Sequence, residues 1–158
     1  LWSRGRSIAV RTVLDVGTGA GFPAVPLAIM RPDWSVTAID GTRKKVEFLH
    51  RTVATLGVEN LRVEHAHSSH WACDERFDLV IAKALGSIQK CVQESAVFVA
   101  PGGHVVAYKT PSHLDTEIAE ARATARKLGL MEEPSYSYKL QFGTETLERV
   151  LAIYRRAN

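Results

Sequence analysis

Cysteine is scarce in this chain: Cys73 and Cys91 are the only two. They show neither a metal-ligand spacing nor the dense pairing of a disulfide framework, so a disulfide-held secreted scaffold is excluded and a cytoplasmic setting is expected. His65, His67 and His70 fall close together. No cluster of carboxylates or cysteines beside them completes a zinc or iron site, so no metal is expected. No apolar run approaches the ~20 residues of a membrane span, and no secretory signal is visible. Internal repeats and low-complexity segments are also lacking. The chain opens on Leu1 rather than Met, so upstream residues are expected to be missing. An acidic excess is absent too: the net charge is +3, which permits a nucleic-acid partner without demanding one.

What the sequence does have is enough chain for one domain. Its 158 residues are 46% apolar and 23% charged, as a globular protein with a real core requires. The reading is a single domain over 1–158, with residues 1–11 as an N-terminal arm or linker. Arg4, Arg6 and Arg11 there are either a solvated end or a basic arm.

The chain is organised around Val13-Leu14-Asp15-Val16-Gly17-Thr18-Gly19-Ala20-Gly21. An apolar run ends in an acid, and three glycines follow at alternate positions. This predicts a buried strand, a tight loop and a helix from Phe22 to Met30, with an irregular start because Pro23 and Pro26 lie in it. Glycines let backbone N–H groups approach a ligand, and a β-branched residue at Gly19 is expected to crowd the loop. Asp15 either holds the loop or receives a cationic ligand group. Ser35 to Asp40 reads as a second strand. A carboxylate about 20 residues after a glycine loop accepts the hydroxyls of an adenosine ribose, so Asp40 is the candidate ribose acceptor. The alternative is a tight turn and a surface acid.

Thr42–Leu56 has helical periodicity and ends at Gly57. Arg43, Lys44 and Lys45 crowd its first turn, against the preference of a helix dipole. They are either a solvated face or a phosphate-contacting patch. Leu61–Ala66 predicts a third strand, after which Ser68 and Ser69 are candidate adenine contacts. Phe77–Ala82 predicts a fourth strand, with Lys83 just beyond it. Ligands of open parallel sheets bind outside such ends, so Lys83 is either a cleft residue or a surface lysine. A helix spans Ile88 to Val99, Pro101-Gly102-Gly103 makes a turn, and His104–Lys109 is a fifth strand. Another helix runs from Leu114 to Leu128 and stops at Gly129. Tyr136, Tyr138 and Leu140, then Val150–Tyr154, predict an antiparallel hairpin, its tyrosines serving packing. The fold class is α/β: a Rossmann-like, doubly wound, mainly parallel sheet with a C-terminal β-hairpin.

Asp-x-Gly-x-Gly-x-Gly at 15–21, Asp40, Phe77-Asp78 and Pro101-Gly102-Gly103 resemble class I S-adenosylmethionine methyltransferases. Residues 15–27, including Gly21-Phe22-Pro23-Ala24-Val25-Pro26, and residues 40–49 resemble the RsmG (GidB) family more closely. The resemblance runs from Thr12 to Arg155. It implies methyl transfer from S-adenosyl-L-methionine to N7 of a guanine in small-subunit ribosomal RNA, by a monomer in the cytoplasm. The implied donor contacts are Asp15, Gly17, Gly19, Gly21, Phe22, Asp40, Gly41, Ser68, Ser69 and Lys83. Lys83 and Lys109 are the candidate catalytic pair, acting by positioning RNA. Arg43, Lys44, Lys45, Lys109 and Arg149 are the candidate RNA contacts. His67 and Lys83 stand where the family pattern has arginine, Ser69 where it has an acid, Ala24 where it has glycine, and Gly41 where it has serine. An N-terminal helical segment normally precedes the core. These departures keep two alternatives open: an idle module that binds donor or RNA, and a methyltransferase for a non-RNA substrate.

Overall fold

A computed structural model describes residues 10–158. Arg4 and Arg6 therefore lie outside the described residues. Val10 is buried among core side chains, and the Arg11 and Thr12 amides both donate to the Asp78 carboxylate, at 2.8 and 2.9 Å.

Five strands and four helices precede the hairpin, alternating except between the third and fourth strands, which a loop with one 3-10 turn joins: β1 (Thr12–Val16), α1 (Ala24–Met30), β2 (Ser35–Asp40), α2 (Arg43–Leu56), β3 (Leu61–His65), β4 (Phe77–Lys83), α3 (Ile88–Ser95), β5 (Val99–Lys109) and α4 (Leu114–Lys127). The hairpin is β6 (Leu130–Phe142) and β7 (Glu145–Arg156). The order in the single sheet is β3-β2-β1-β4-β5-β7-β6. Strands β1 to β5 pair in parallel, whereas β7 runs antiparallel to both β5 and β6.

The central parallel strands β1, β2 and β4 are largely buried on both faces, because helices cover both sides, whereas the edge strand β3 alternates buried Leu61 and Val63 with Arg62 and Glu64. On one side Val13, Val36, Ala38 and Ile81 pack with Ala28 of α1 and Leu49 of α2. On the other, Leu14, Val16, Val80 and Val105 pack with Val92 of α3 and Ala121 of α4. Among the described residues no helix is long and apolar enough to cross a membrane.

Several element boundaries differ from the sequence expectation, each for a local reason. Helix α1 begins at Ala24, after a cis Phe22–Pro23 bond, rather than at Phe22. The predicted helix to Val99 ends at Ser95 and tightens into one 3-10 turn, Ala96–Phe98. The third strand stops at His65, one residue early, and the last helix stops at Lys127. Pro101-Gly102-Gly103 is not a turn ahead of the fifth strand. It is a bulge within β5, whose pairing with β4 jumps from Val99 to His104. A Cβ on Gly103 would lie 3.0 Å from the carbonyl oxygens of Phe77, Asp78 and Ala100, so only glycine fits there. The hairpin is also much longer than predicted.

Candidate active site

The C-terminal ends of β1, β2 and β4 open around a cavity of about 370 Å³. Val16, Gly17 and Ile39 line its base, Asp40–Thr42 and Lys45 one side, and Ala66–Ser68, Leu85 and Glu94 the other. Strand order reverses direction at β1, the position at which open α/β sheets form ligand crevices.

Asp40 ends β2 and joins the loops. Its Oδ2 accepts from the Gly19 amide at 2.9 Å and its Oδ1 from the Thr42 amide at 2.8 Å. Lys45 Nζ lies 3.7 Å from Oδ2. Burial works against ionisation of Asp40, but the two amides and Lys45 outweigh it and hold the carboxyl below its usual range. Each oxygen keeps a lone pair for a hydroxyl donor. On Gly17, at φ +69°, a Cβ would stand 3.0 Å from Leu85 Cδ1 and narrow the cavity.

Asp15 has the other task open to it. It lines neither this cavity nor its neighbour; its Oδ2 accepts from Thr18 Oγ1 at 2.7 Å and from the Ala24 amide at 3.2 Å, tying the glycine turn to the start of α1. Its Oδ1 is buried without a partner among the described residues. Burial pushes its pKa up to about 6, against those two bonds and the nearby Lys83 ammonium. Gly19 and Gly21 also line neither cavity. Within the protein a Cβ on Gly19, at φ +62°, meets nothing within 4 Å, whereas one on Gly21 would lie 2.6 Å from Leu49 Cδ1.

A second cavity, of about 500 Å³, adjoins the first. Phe22, Pro23 and Pro26 form one wall, Lys83, Ala84 and Gly86 the floor, and Tyr108, Lys109, Tyr138, Leu140 and Arg149 the rest. Ala84 borders both cavities, and its φ of +57° is unusual for a residue with a Cβ. Phe22 is 59% exposed, an unusual degree for a large apolar ring. Burial pushes the Tyr108 phenol up to about 12, so it remains a hydrogen-bond donor rather than a base.

The basic residues divide into bound and unbound. Lys109 Nζ lies 2.6 Å from Glu117 Oε2 and donates to the Gly86 carbonyl at 3.0 Å. Lys83 makes no hydrogen bond or ion pair among the described residues. Arg149 donates from Nη1 to the Glu148 carbonyl at 2.8 Å and stands opposite Tyr138. Arg43 pairs with Glu47 at 2.9 Å, and neither Arg43 nor Lys44 lines either of these two cavities.

The two serines separate. Ser68 lines the first cavity and donates to Glu94 at 2.5 Å. Ser69 is exposed and bridges the Nδ1 atoms of His67 and His70, at 2.8 and 2.7 Å. The sequence reading missed Glu94, Leu85 and Tyr108. Nothing in the local pattern of α3 sets Glu94 apart from an ordinary polar helix position. Leu85 could have been found by extending to its neighbours the argument that singled out Lys83.

Sheet order, glycine turn and the acid that ends β2 together define a class I methyltransferase fold. Solved structures agree with that architecture. The YcgJ protein of Bacillus subtilis superposes with a TM-score of 0.70 at 17% identity, over 95% of this chain and 93% of that one. Precorrin-6y C5,15-methyltransferase of Geobacter metallireducens gives 0.68 at 15% identity, over 96% and 83%. The sequence pattern of the GidB family, rRNA small subunit methyltransferase G, matches residues 3–141, and the chain belongs to that family. Ribosomal RNA small subunit methyltransferase G of Thermosynechococcus vestitus is 36% identical over 121 residues, covering 72% of this chain and 52% of the relative. Its counterpart in Carboxydothermus hydrogenoformans is 30% identical over 157 residues, covering 96% and 65%. The chain thus spans about half the length of the first of these relatives.

Proposed function

We propose that the protein transfers a methyl group from S-adenosylmethionine to N7 of a guanine in small-subunit (16S) ribosomal RNA. The observation that carries this reading is the meeting of two unlike cavities at Ala84. One presents a carboxylate and a glycine floor; the other presents aromatic rings and the cations Lys83, Lys109 and Arg149, of which Lys83 is unbonded among the described residues.

The residues of the first cavity fit an adenosyl donor. Asp40 retains lone pairs for ribose hydroxyls after accepting from Gly19 and Thr42, and Gly17 leaves room that a Cβ would close against Leu85. When bound, the donor supplies a sulfonium methyl group as electrophile. Guanine N7 holds an in-plane lone pair and loses no proton on alkylation, so the reaction asks for alignment rather than a general base. Alignment of this kind is worth on the order of 7–11 kcal/mol when the geometry is good. Phe22 and Tyr138 offer flat faces to the target base, as single-stranded RNA recognition uses. Lys83 and Arg149 hold the flanking phosphates. Lys109 acts through the fold, since its ammonium is committed to Glu117 and Gly86. Lys45 holds Asp40 in place, and Arg43 and Lys44 reach RNA beyond the cavities.

The reading includes action as a monomer. The substrate supports a cytoplasmic location. The test is incubation with methyl-labelled donor and small ribosomal subunits lacking the modification. Labelled N7-methylguanosine in the digested RNA is expected. Label only in protein or small molecules, or none with an intact subunit, overturns the proposal.

A further inference from the structure

We infer that Glu94 reads the 6-amino group of the donor's adenine; this rests on the adenosyl-donor reading above and extends it to the base. Glu94 lies in the last turn of α3, far from the glycine turn in sequence, yet its side chain borders the same cavity as Asp40. That side chain is only 16% exposed, an unusual place for a carboxylate unless it is paired or has a ligand to meet.

Its two oxygens are differently engaged. Oε2 accepts a hydrogen bond from the Ser68 hydroxyl, a serine that is itself 9% exposed. Oε1 faces Lys90 Nζ at 3.7 Å, which is ion-pair range but too long for a hydrogen bond. Oε1 therefore keeps acceptor capacity at the border of the cavity, while Ser68 fixes the carboxylate and Lys90 lies within ion-pair range. Ser68 has spent its donor on Glu94, so it is a positioning residue for this contact.

Asp40 and Glu94 are two carboxylates bordering one cavity, with apolar surface from Ile39, Ala66 and Leu85 between the elements that carry them. That arrangement suits a nucleoside whose sugar donates hydrogen bonds to one acid and whose flat ring donates to the other. Adenine carries an N–H donor at C6. Hypoxanthine carries a carbonyl oxygen there, which an acceptor-only carboxylate opposes. Glu94 thus selects adenine over 6-keto purines.

The test is calorimetric binding of S-adenosylhomocysteine and S-inosylhomocysteine to the protein and to Glu94→Gln, which keeps shape and can present a donor. The wild type is expected to prefer the adenosyl compound by about 10- to 100-fold, the range of a hydrogen bond to a charged partner. In Glu94→Gln the preference is expected to fall to within about threefold, since an amide serves either edge. Ser68→Ala should lower the preference as well, because the carboxylate loses its fixed rotamer. An undiminished preference in Glu94→Gln overturns the inference and leaves the donor reading intact. Equal weakening of both compounds marks Glu94 as merely structural and also overturns it. Failure of the wild type to bind either compound overturns the donor reading, and this inference with it.

Discussion

Gly19 and Gly21 sit in one turn and are held to glycine by different forces. Gly19 has φ +62° with open space around its Cα, whereas Gly21 has φ +92° and would drive a Cβ to 2.6 Å from Leu49 and 2.7 Å from Val25. Gly19→Ala should cost about 1–2 kcal/mol in left-handed backbone strain alone. Gly21→Ala should add about 1–3 kcal/mol of overpacking to that strain. Urea unfolding midpoints check the order; equal losses would mean that the core at Leu49 gives way freely. Asp15, two residues before this turn, makes a second prediction. Its pKa stands raised from 3.8 to about 6 by burial. A raised folded-state pKa means stability that is complete below the unfolded value of 3.8 and is lost as pH climbs through about 6. The loss at neutral pH is of order 3 kcal/mol. Asp15→Asn removes this titration. The stability difference, wild type minus variant, should therefore fall between pH 4 and pH 7 and then level off, as thermal unfolding across that range would reveal.

At the scale of elements, the loop between β4 and α3 is pinned from α4. Glu117 Oε2 accepts from the Ile88 amide at 2.8 Å at the first turn of α3 and pairs with Lys109 at the end of β5. Burial opposes ionisation of Glu117, yet these two bonds hold its carboxyl below the usual range. Glu117→Gln should cost about 1–2 kcal/mol and free Lys109, loosening the loop that carries Ala84 and Gly86. Faster hydrogen exchange at residues 84–88 is the readout; unchanged exchange would detach Glu117 from the loop. None of this coupling is legible in the sequence, because Glu117 looks like any acid in the first turn of a helix. The parallel half of the sheet was legible, since short apolar runs ended in Asp40 or Lys83 and alternated with helical periodicity at Val46, Leu49 and Val53. The hairpin was legible only in its core-facing part. Strand β6 is mostly exposed along its length, so no alternation of burial marks its ends, and its pairing with β7 shifts register between Glu133 and Tyr136. The same division holds for the site. The glycine turn and Asp40 follow from spacing along one chain segment, whereas Glu94, Tyr108 and Arg149 reach the cavities only through the topology of the sheet.

On the scale of the whole molecule, both cavities open along the C-terminal edge of the parallel strands, and the net charge of +3 is small. RNA attraction must therefore come from where cations are placed rather than from total charge. Arg43, Lys45 and Lys109 already face Glu47, Asp40 and Glu117. Lys83 and Arg149 border the second cavity with no ion pair within 4 Å among the described residues. Each phosphate contact adds about 0.7 to the slope of log affinity against log salt for a single strand. Lys83→Ala and Arg149→Ala should each flatten that slope by about 0.7 and weaken binding. Lys44→Ala, on a helix face outside both cavities, should change it less. Anisotropy titrations of a small-subunit RNA fragment over a salt series give the slopes. Lys83 also adjoins Ala84, where the two cavities meet, so its loss should lower methyl transfer at saturating RNA and donor. Lys83→Arg should keep the salt slope, and its planar fork can hold a phosphate through two hydrogen bonds, so its transfer rate should equal or exceed the wild type. Equal slopes and equal rates across wild type, Lys83→Ala and Lys83→Arg would return Lys83 to the solvated surface and move the RNA path to the other side of Phe22.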